Sequence, residues 1–392
     1  MGRLANRFLI LIFALMLLFS PVVCLAAPLG EITPEGLTDP LELNDVQSYI
    51  DQLDSTVKGV VPQLDFRDMV VKLVKGELDW KPADILHNMV SMLFKEVVAN
   101  FALLGKLVVL AVICAVLQNL VCSFEKGTTG QLAYSVTYLV LVTIAIGSFS
   151  LAVNAGREVV DAMVTFMQAL LPILLTLLVA VGGFASAAIF SPVILATLGI
   201  FGSLIKNVIL PLFFFVAILG VVSNLTDRFK VTSLADLLKT IGMGLMGVFT
   251  TIFLGVLAIQ GVAGAVGDSV TFKTARFTVK TFVPLVGGMF SDALDAVISS
   301  SLLIKNALGV AGIGVIGAIM IVPLLKIITL AFTYKLAGSL IQPVADGQMV
   351  DCLNSLGNSL FLIFAAVATV GLLFFFTITI VVGIGNVTVM LR

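Results

Sequence analysis

The sequence predicts an all-α membrane protein. The expected architecture is a polytopic transmembrane bundle of about seven or eight spans, with a re-entrant or broken helix near 281–306 and a small helical extracytoplasmic segment ahead of it. Three observations carry this reading. Of 392 residues, 59% are hydrophobic and only 11% charged, whereas a soluble domain carries roughly 25% charged residues. Mean hydropathy is +1.16. The charges that exist are segregated: residues 28–96 hold 6 basic and 13 acidic residues, and residues 97–392 hold 14 and 10. Three regions follow: 1–27, 28–96 and 97–392.

Residues 1–27 resemble a secretory signal. Arg3 and Arg7 precede an unbroken apolar run from Phe8 to Phe19, which is short for a span. Ser20-Pro21 ends the run, and Cys24-Leu25-Ala26 offers small residues for cleavage. Cleaved peptide and retained anchor both place residue 28 onward outside the cytoplasm. The acidic balance of 28–96 agrees, because translocated segments are poor in Lys and Arg.

That segment reads as helical. Leu43, Val46, Ile50 and Leu53 recur at spacings of three and four. Asp65 is positioned to cap a second helix carrying Phe66, Met69, Val70, Leu73 and Val74, which Gly76 ends. Pro82 suits the first turn of a third helix with Ile85, Leu86, Met89, Val90 and Leu93 on its apolar side. The segment is either a docking module or a helical lead-in lying on the membrane or on partner subunits.

In 97–392 the stretches of spanning length are 97–120, 132–153, 163–183, 241–262, 307–325 and 357–385. The stretch 187–223, interrupted by Lys206-Asn207, is either one long tilted helix or a hairpin of two short spans. Residues 326–342, with Lys326, Lys335 and then Pro343, are a further candidate span, the one that makes the count seven or eight. The loops expected at 223–240 and 263–280 each carry three basic residues, so positive charge does not orient the chain. An internal repeat, 181–262 against 286–385, is suggested by two units. Val181-Gly182-Gly183 precedes Leu204-Ile205-Lys206-Asn207, and Val286-Gly287-Gly288 precedes Leu303-Ile304-Lys305-Asn306. Repeated units with broken hydrophobic segments are typical of transport folds.

The stretch 281–307 concentrates polar chemistry in apolar surroundings. Pro284 and Gly287-Gly288 break a helix. Asp292, Asp295 and Ser299 then fall within about 60° of one another on the next one. Carboxylates are costly in lipid, so they face a protein interior, a water-filled cavity or the aqueous boundary. The element is either a re-entrant piece lining a translocation path or an amphipathic interfacial helix. Pro284, Gly287, Gly288, Asp292, Asp295, Ser299, Lys305 and Asn306 are the candidate path-lining residues. Lys106 and Lys206 are the candidate intramembrane charges. Lys106 either pairs with a carboxylate, Asp292 or Asp295 by elimination, or reaches an interface in a tilted helix.

Nothing marks an enzyme or a cofactor site. The chain has one His, His87, and four Cys, without metal-ligand or disulfide spacing. It has no GxxxxGK[ST] phosphate loop and no GxSxG elbow. Near-zero net charge gives no sign of nucleic-acid binding.

The run Val283-Pro284-Leu285-Val286-Gly287-Gly288 through Ser291-Asp292-Ala293-Leu294-Asp295 to Ser300-Ser301-Leu302-Leu303-Ile304-Lys305-Asn306-Ala307 resembles the hallmark stretch of the stage III sporulation protein AE family. The resemblance extends over nearly the whole chain. It implies a subunit of a channel-like secretion complex between mother cell and forespore, required after engulfment and seated in the mother-cell membrane around the forespore. It implies as partners the other stage III sporulation A proteins, including an ATPase and ring-forming subunits, with an Oxa-type insertase aiding insertion. The alternative is a stand-alone secondary transporter with an ion or substrate site around Asp292 and Asp295.

Overall fold

Helix dominates the architecture because a backbone in lipid must satisfy its own N–H and C=O groups. The computed structural model describes residues 46–48, 50, 66–77, 82–123, 128–223, 231–282, 287–344 and 347–390. Among them there is no strand. The signal-like start, Asp65 and Pro284 lie outside the described residues.

Helix α1 (Phe66–Lys75) is the second helix expected from the sequence, and it ends where Gly76 adopts φ 70°. Phe66 and Val70, one turn apart, are buried. The Phe66 ring meets Phe166 edge-on at 6.5 Å, and its N–H donates to Gln47 Oε1 at 2.8 Å. This part of the acidic segment therefore packs on the membrane domain of its own chain. Helix α2 (Pro82–Ser123) begins at Pro82, as expected, and then runs on. The third expected helix and the first expected span are thus one helix, with no break at 96/97.

The remaining helices are α3 (Thr128–Ala180), α4 (Phe184–Leu204), α5 (Leu210–Ser223), α6 (Thr232–Phe282), α7 (Gly287–Ile341) and α8 (Gly347–Met390). Three further sequence expectations are corrected. Span 132–153 and all but the last three residues of 163–183 lie in α3, a helix of 53 residues, about 80 Å long at 1.5 Å per residue. Likewise 307–325 and all but the last residue of 326–342 lie in α7. The loop expected at 263–280 lies in the last part of α6, and the second half of the loop expected at 223–240 is its first turns. Of the stretch 281–306, where a break is expected, residues 283–286 lie outside the described residues; from Gly287 the chain is one helix. Among the described residues six helices are long and apolar enough to cross a membrane.

The stretch 187–223 is one continuous helical run and not a hairpin. A π-helical turn, Ile205–Ile209, joins α4 to α5, with the Leu210 N–H donating to the Ile205 carbonyl. Pro211 follows at once. Its ring crowds the carbonyl four residues back and its nitrogen cannot donate. A widened turn just ahead of it accommodates both without ending the helix.

Glycines set the packing. Positions 309, 371, 357 and 338 meet Val382, Met320, Lys335 and Asn354 respectively, which pairs α7 antiparallel to α8 along most of their length. Gly156 lies against Val367, Ile363 and Ile327, and Gly312 against Leu170, which seats α3 beside both. Gly202 meets Val164, Gly220 meets Ser355, and Gly242 meets Phe213. These place α4 and α5 on α3 and α8, with α6 outside them. Missing side chains let helices approach where no hydrophobic force separates protein from lipid. In the core, the Tyr334 hydroxyl is fully buried and donates to the Ala145 carbonyl at 2.8 Å.

Candidate functional site

The costliest group to bury in such a bundle is an ammonium. Lys305 on α7 is fully buried. Its Nζ donates to the Val382 carbonyl of α8 at 2.9 Å. The ammonium rests on Gly385, where any Cβ would collide with it. An ammonium has three donors, and among the described residues no carboxylate pairs with this one. Asn306, next in sequence, and Asn386 of α8 each present a buried Oδ1 with no described partner.

A second buried charge lies at the same end of the bundle. Asp268 on α6 has no exposed surface. Its Oδ1 accepts from the N–H of Ala185 at 2.7 Å and of Ser186 at 3.1 Å. These are first-turn amides of α4, which have no partner within their own helix. The chain enters α4 through Gly182 at φ 93° and Gly183, whose lack of a side chain leaves the helix without a local cap. Asp268 supplies the cap from 83 residues away, and its negative charge suits the positive end of the helix dipole. Gly264 makes room for it: a Cβ there would strike Ser186 Oγ. Asp268 Oδ2 and Ser186 Oγ are both buried without a described partner.

Leu178 links the two halves of this layer. Its side chain lies against both Gly183, at the entry to α4, and Gly385, under Lys305. At one end of α3, α4, α6, α7 and α8 there are thus a buried ammonium, a buried carboxylate and four buried oxygens with no described donor, bridged by Leu178. Buried oxygens without donors are costly, which makes such a layer a place for bound water.

The other candidates are dispersed. Ser299 is exposed on α7. Gly287, Gly288, Asp292 and Asp295 belong to the first turns of α7, and nothing in the described side chains bears on them. Lys106 is exposed on α2 beside a shallow groove lined by Val109, Leu110, Val140 and Ile144, with no described carboxylate on it. Lys206 pairs with Asp161 of α3, both partly exposed. The two Leu-Ile-Lys-Asn tetrapeptides thus reach different surroundings, one at the surface and one in the core. Sequence reasoning missed Asp268, because the polar stretch after Val262 reads as a loop. The signal that finds it is Gly264-Ala265-Val266-Gly267-Asp268, small residues ahead of a lone acid at helical spacing. Among the described residues no group of acids, His and Cys could hold a metal ion.

The family model for stage III sporulation protein AE matches residues 64–385. A Bacillus subtilis (strain 168) protein, "Stage III sporulation protein AE", is 40% identical over 366 residues, which are 93% of this chain and 92% of that one. No solved structure matches the chain.

Proposed function

The chain belongs to the stage III sporulation protein AE family, and from that premise we propose that it is a membrane subunit of the channel-like secretion complex joining mother cell and forespore. It is a sporulation-related membrane protein with six helices of spanning length among the described residues. In this reading it acts after engulfment, in the mother-cell membrane around the forespore, beside the other stage III sporulation A proteins. An ATPase among them supplies energy, ring-forming subunits extend the conduit, and an Oxa-type insertase aids its insertion. It turns over no substrate of its own. The observation that carries the reading is identity of 40% sustained across almost the full length of both chains. The buried Lys305–Asp268 layer is compatible with a polar path through or beside this subunit.

Deletion of the gene tests it. Spore formation should arrest after engulfment, vegetative growth should be unchanged, and the wild-type chain supplied in the mother cell alone should restore spores. A growth defect in rich medium, or rescue from the forespore alone, defeats the proposal. Solute uptake into liposomes by the purified chain alone would favour the stand-alone transporter.

A further inference from the structure

The bundle is twice as tall as one hydrocarbon core, and the contacts between helices fix where it divides. Lys206 of the π-helical turn pairs with Asp161 of α3. Arg157 and Glu158 lie one turn away on α3. Gly156 touches Ile327 of α7, which brings Lys326 to the same height. Glu158, Asp161, Asn207 and Lys326 are exposed, and Arg157 and Lys206 are half-buried. Six polar residues from α3, α7 and the α4–α5 junction thus lie at about one height, a belt of separate positions around the bundle.

From the belt to the Lys305–Asp268 layer the chain covers 161–178 on α3, 186–206 on α4 and 305–326 on α7. These are rises of about 26–32 Å. In the other direction, α7 from 326 to 341 and α8 back from 367 to 347 rise about 22–30 Å. Each half matches the roughly 30 Å of a single hydrocarbon core. Both halves carry large exposed apolar residues: Ile189 and Ile259 in the first, Phe215 and Phe332 in the second. One bilayer cannot cover both, and exposed charges at its centre are expensive.

We propose that the belt of Arg157, Lys206 and Lys326 is a docking surface for phospholipid headgroups, so that the bilayer surface passes through mid-bundle and only one half stands in hydrocarbon. The geometry fits the ligand chemistry. Guanidinium and ammonium groups bind phosphate oxygens, and long basic side chains reach the interface from an apolar stem. The interleaved Glu158 and Asp161 suit zwitterionic headgroups, which carry choline or ethanolamine beside the phosphate. The half left outside hydrocarbon is then apolar surface held clear of lipid. This inference does not depend on the sporulation role.

The test is spin-label depth in the full-length protein, reconstituted in phosphatidylcholine–phosphatidylglycerol vesicles. Single cysteines are placed in a cysteine-free background at Glu158 and Asn207 in the belt, at Ile189 and Ile259 in one half, and at Phe215 and Phe332 in the other. Accessibility is read to oxygen, which concentrates in hydrocarbon, and to a water-soluble nickel chelate. The expected result is a belt at headgroup depth, one pair reached by oxygen and shielded from nickel, and the other pair not at hydrocarbon depth. Three results overturn the proposal: both pairs at hydrocarbon depth, a belt at the bilayer centre, or belt labels shielded from both reagents, as a protein contact would make them. Replacing Arg157, Lys206 and Lys326 together by Gln should shift the belt labels in depth; unchanged depth also counts against headgroup binding. Circular dichroism of each labelled chain separates a depth result from loss of fold.

Discussion

Lys305 and Gly385 are complementary: the ammonium of one occupies the space that any side chain on the other would need. The contact joins α7 to α8 where Lys305 Nζ also donates to the Val382 carbonyl at 2.9 Å. A glycine beneath a buried lysine is a packing device and an electrostatic one, since it brings the charge within reach of backbone carbonyl oxygen.

Gly385→Ala should therefore destabilise the chain by about 1–3 kcal/mol, as overpacking of a filled core does. Lys305→Ala removes every Lys305 atom that this Cβ would strike, so Gly385→Ala should cost much less in that background than alone. Thermal unfolding of purified protein in detergent reads both. An equal cost of Gly385→Ala in the two backgrounds would mean that Gly385 serves something other than Lys305.

Lys305→Met alone separates stability from function. Replacing a buried charge by an apolar side chain of similar length is often neutral or stabilising. Protein level should hold, while spore yield falls if the layer serves the complex. Wild-type spore yield at normal protein level would make Lys305 dispensable.

Asp268→Ala should cost about 0.5–2 kcal/mol, the range for loss of a helix N-cap, because it leaves the Ala185 and Ser186 amides without their acceptor. Asp268→Asn keeps an acceptor oxygen and should lose less. Equal melting temperatures for the two would show that the carboxylate charge, and not the hydrogen bond, sustains the cap.

Asp295→Asn preserves shape and hydrogen bonding while removing charge. If the start of α7 lines a path, the protein should accumulate normally and support fewer spores. The Asp292→Ala, Asp295→Ala double variant should lose more. Full spore yield from that double variant, at normal protein level, leaves an interfacial helix as the better description.

A cysteine at Ser55 reports on sidedness. Because 28–96 is expected outside the cytoplasm, a membrane-impermeant thiol reagent should label it in intact cells. Labelling only after lysis would contradict that orientation.

Composition alone decided the solvent and the secondary structure. At 59% hydrophobic and 11% charged, lipid and helix follow from the need to satisfy every backbone group internally. Local signals placed the start of α2 at Pro82 and the end of α1 at Gly76, because a ring-locked φ and a left-handed φ are properties of one residue. Helix continuity was not local. Arg157 and Asp161 read as a gap between spans, yet α3 passes through them, because an outward-facing belt with Lys206 accommodates their charge without breaking the backbone. Asp268 read as part of a loop, since polarity after an apolar run ordinarily marks one. Its partner amides lie 83 residues away, where Gly183 offers no cap. Only the meeting of α6 with the first turn of α4 assigns that carboxylate its place. Lys305 was legible as an unusual charge, but its burial against Gly385 was not. A lysine's surroundings depend on which helix face its neighbours cover, and that is fixed by the register of α7 on α8 and not by the sequence around position 305.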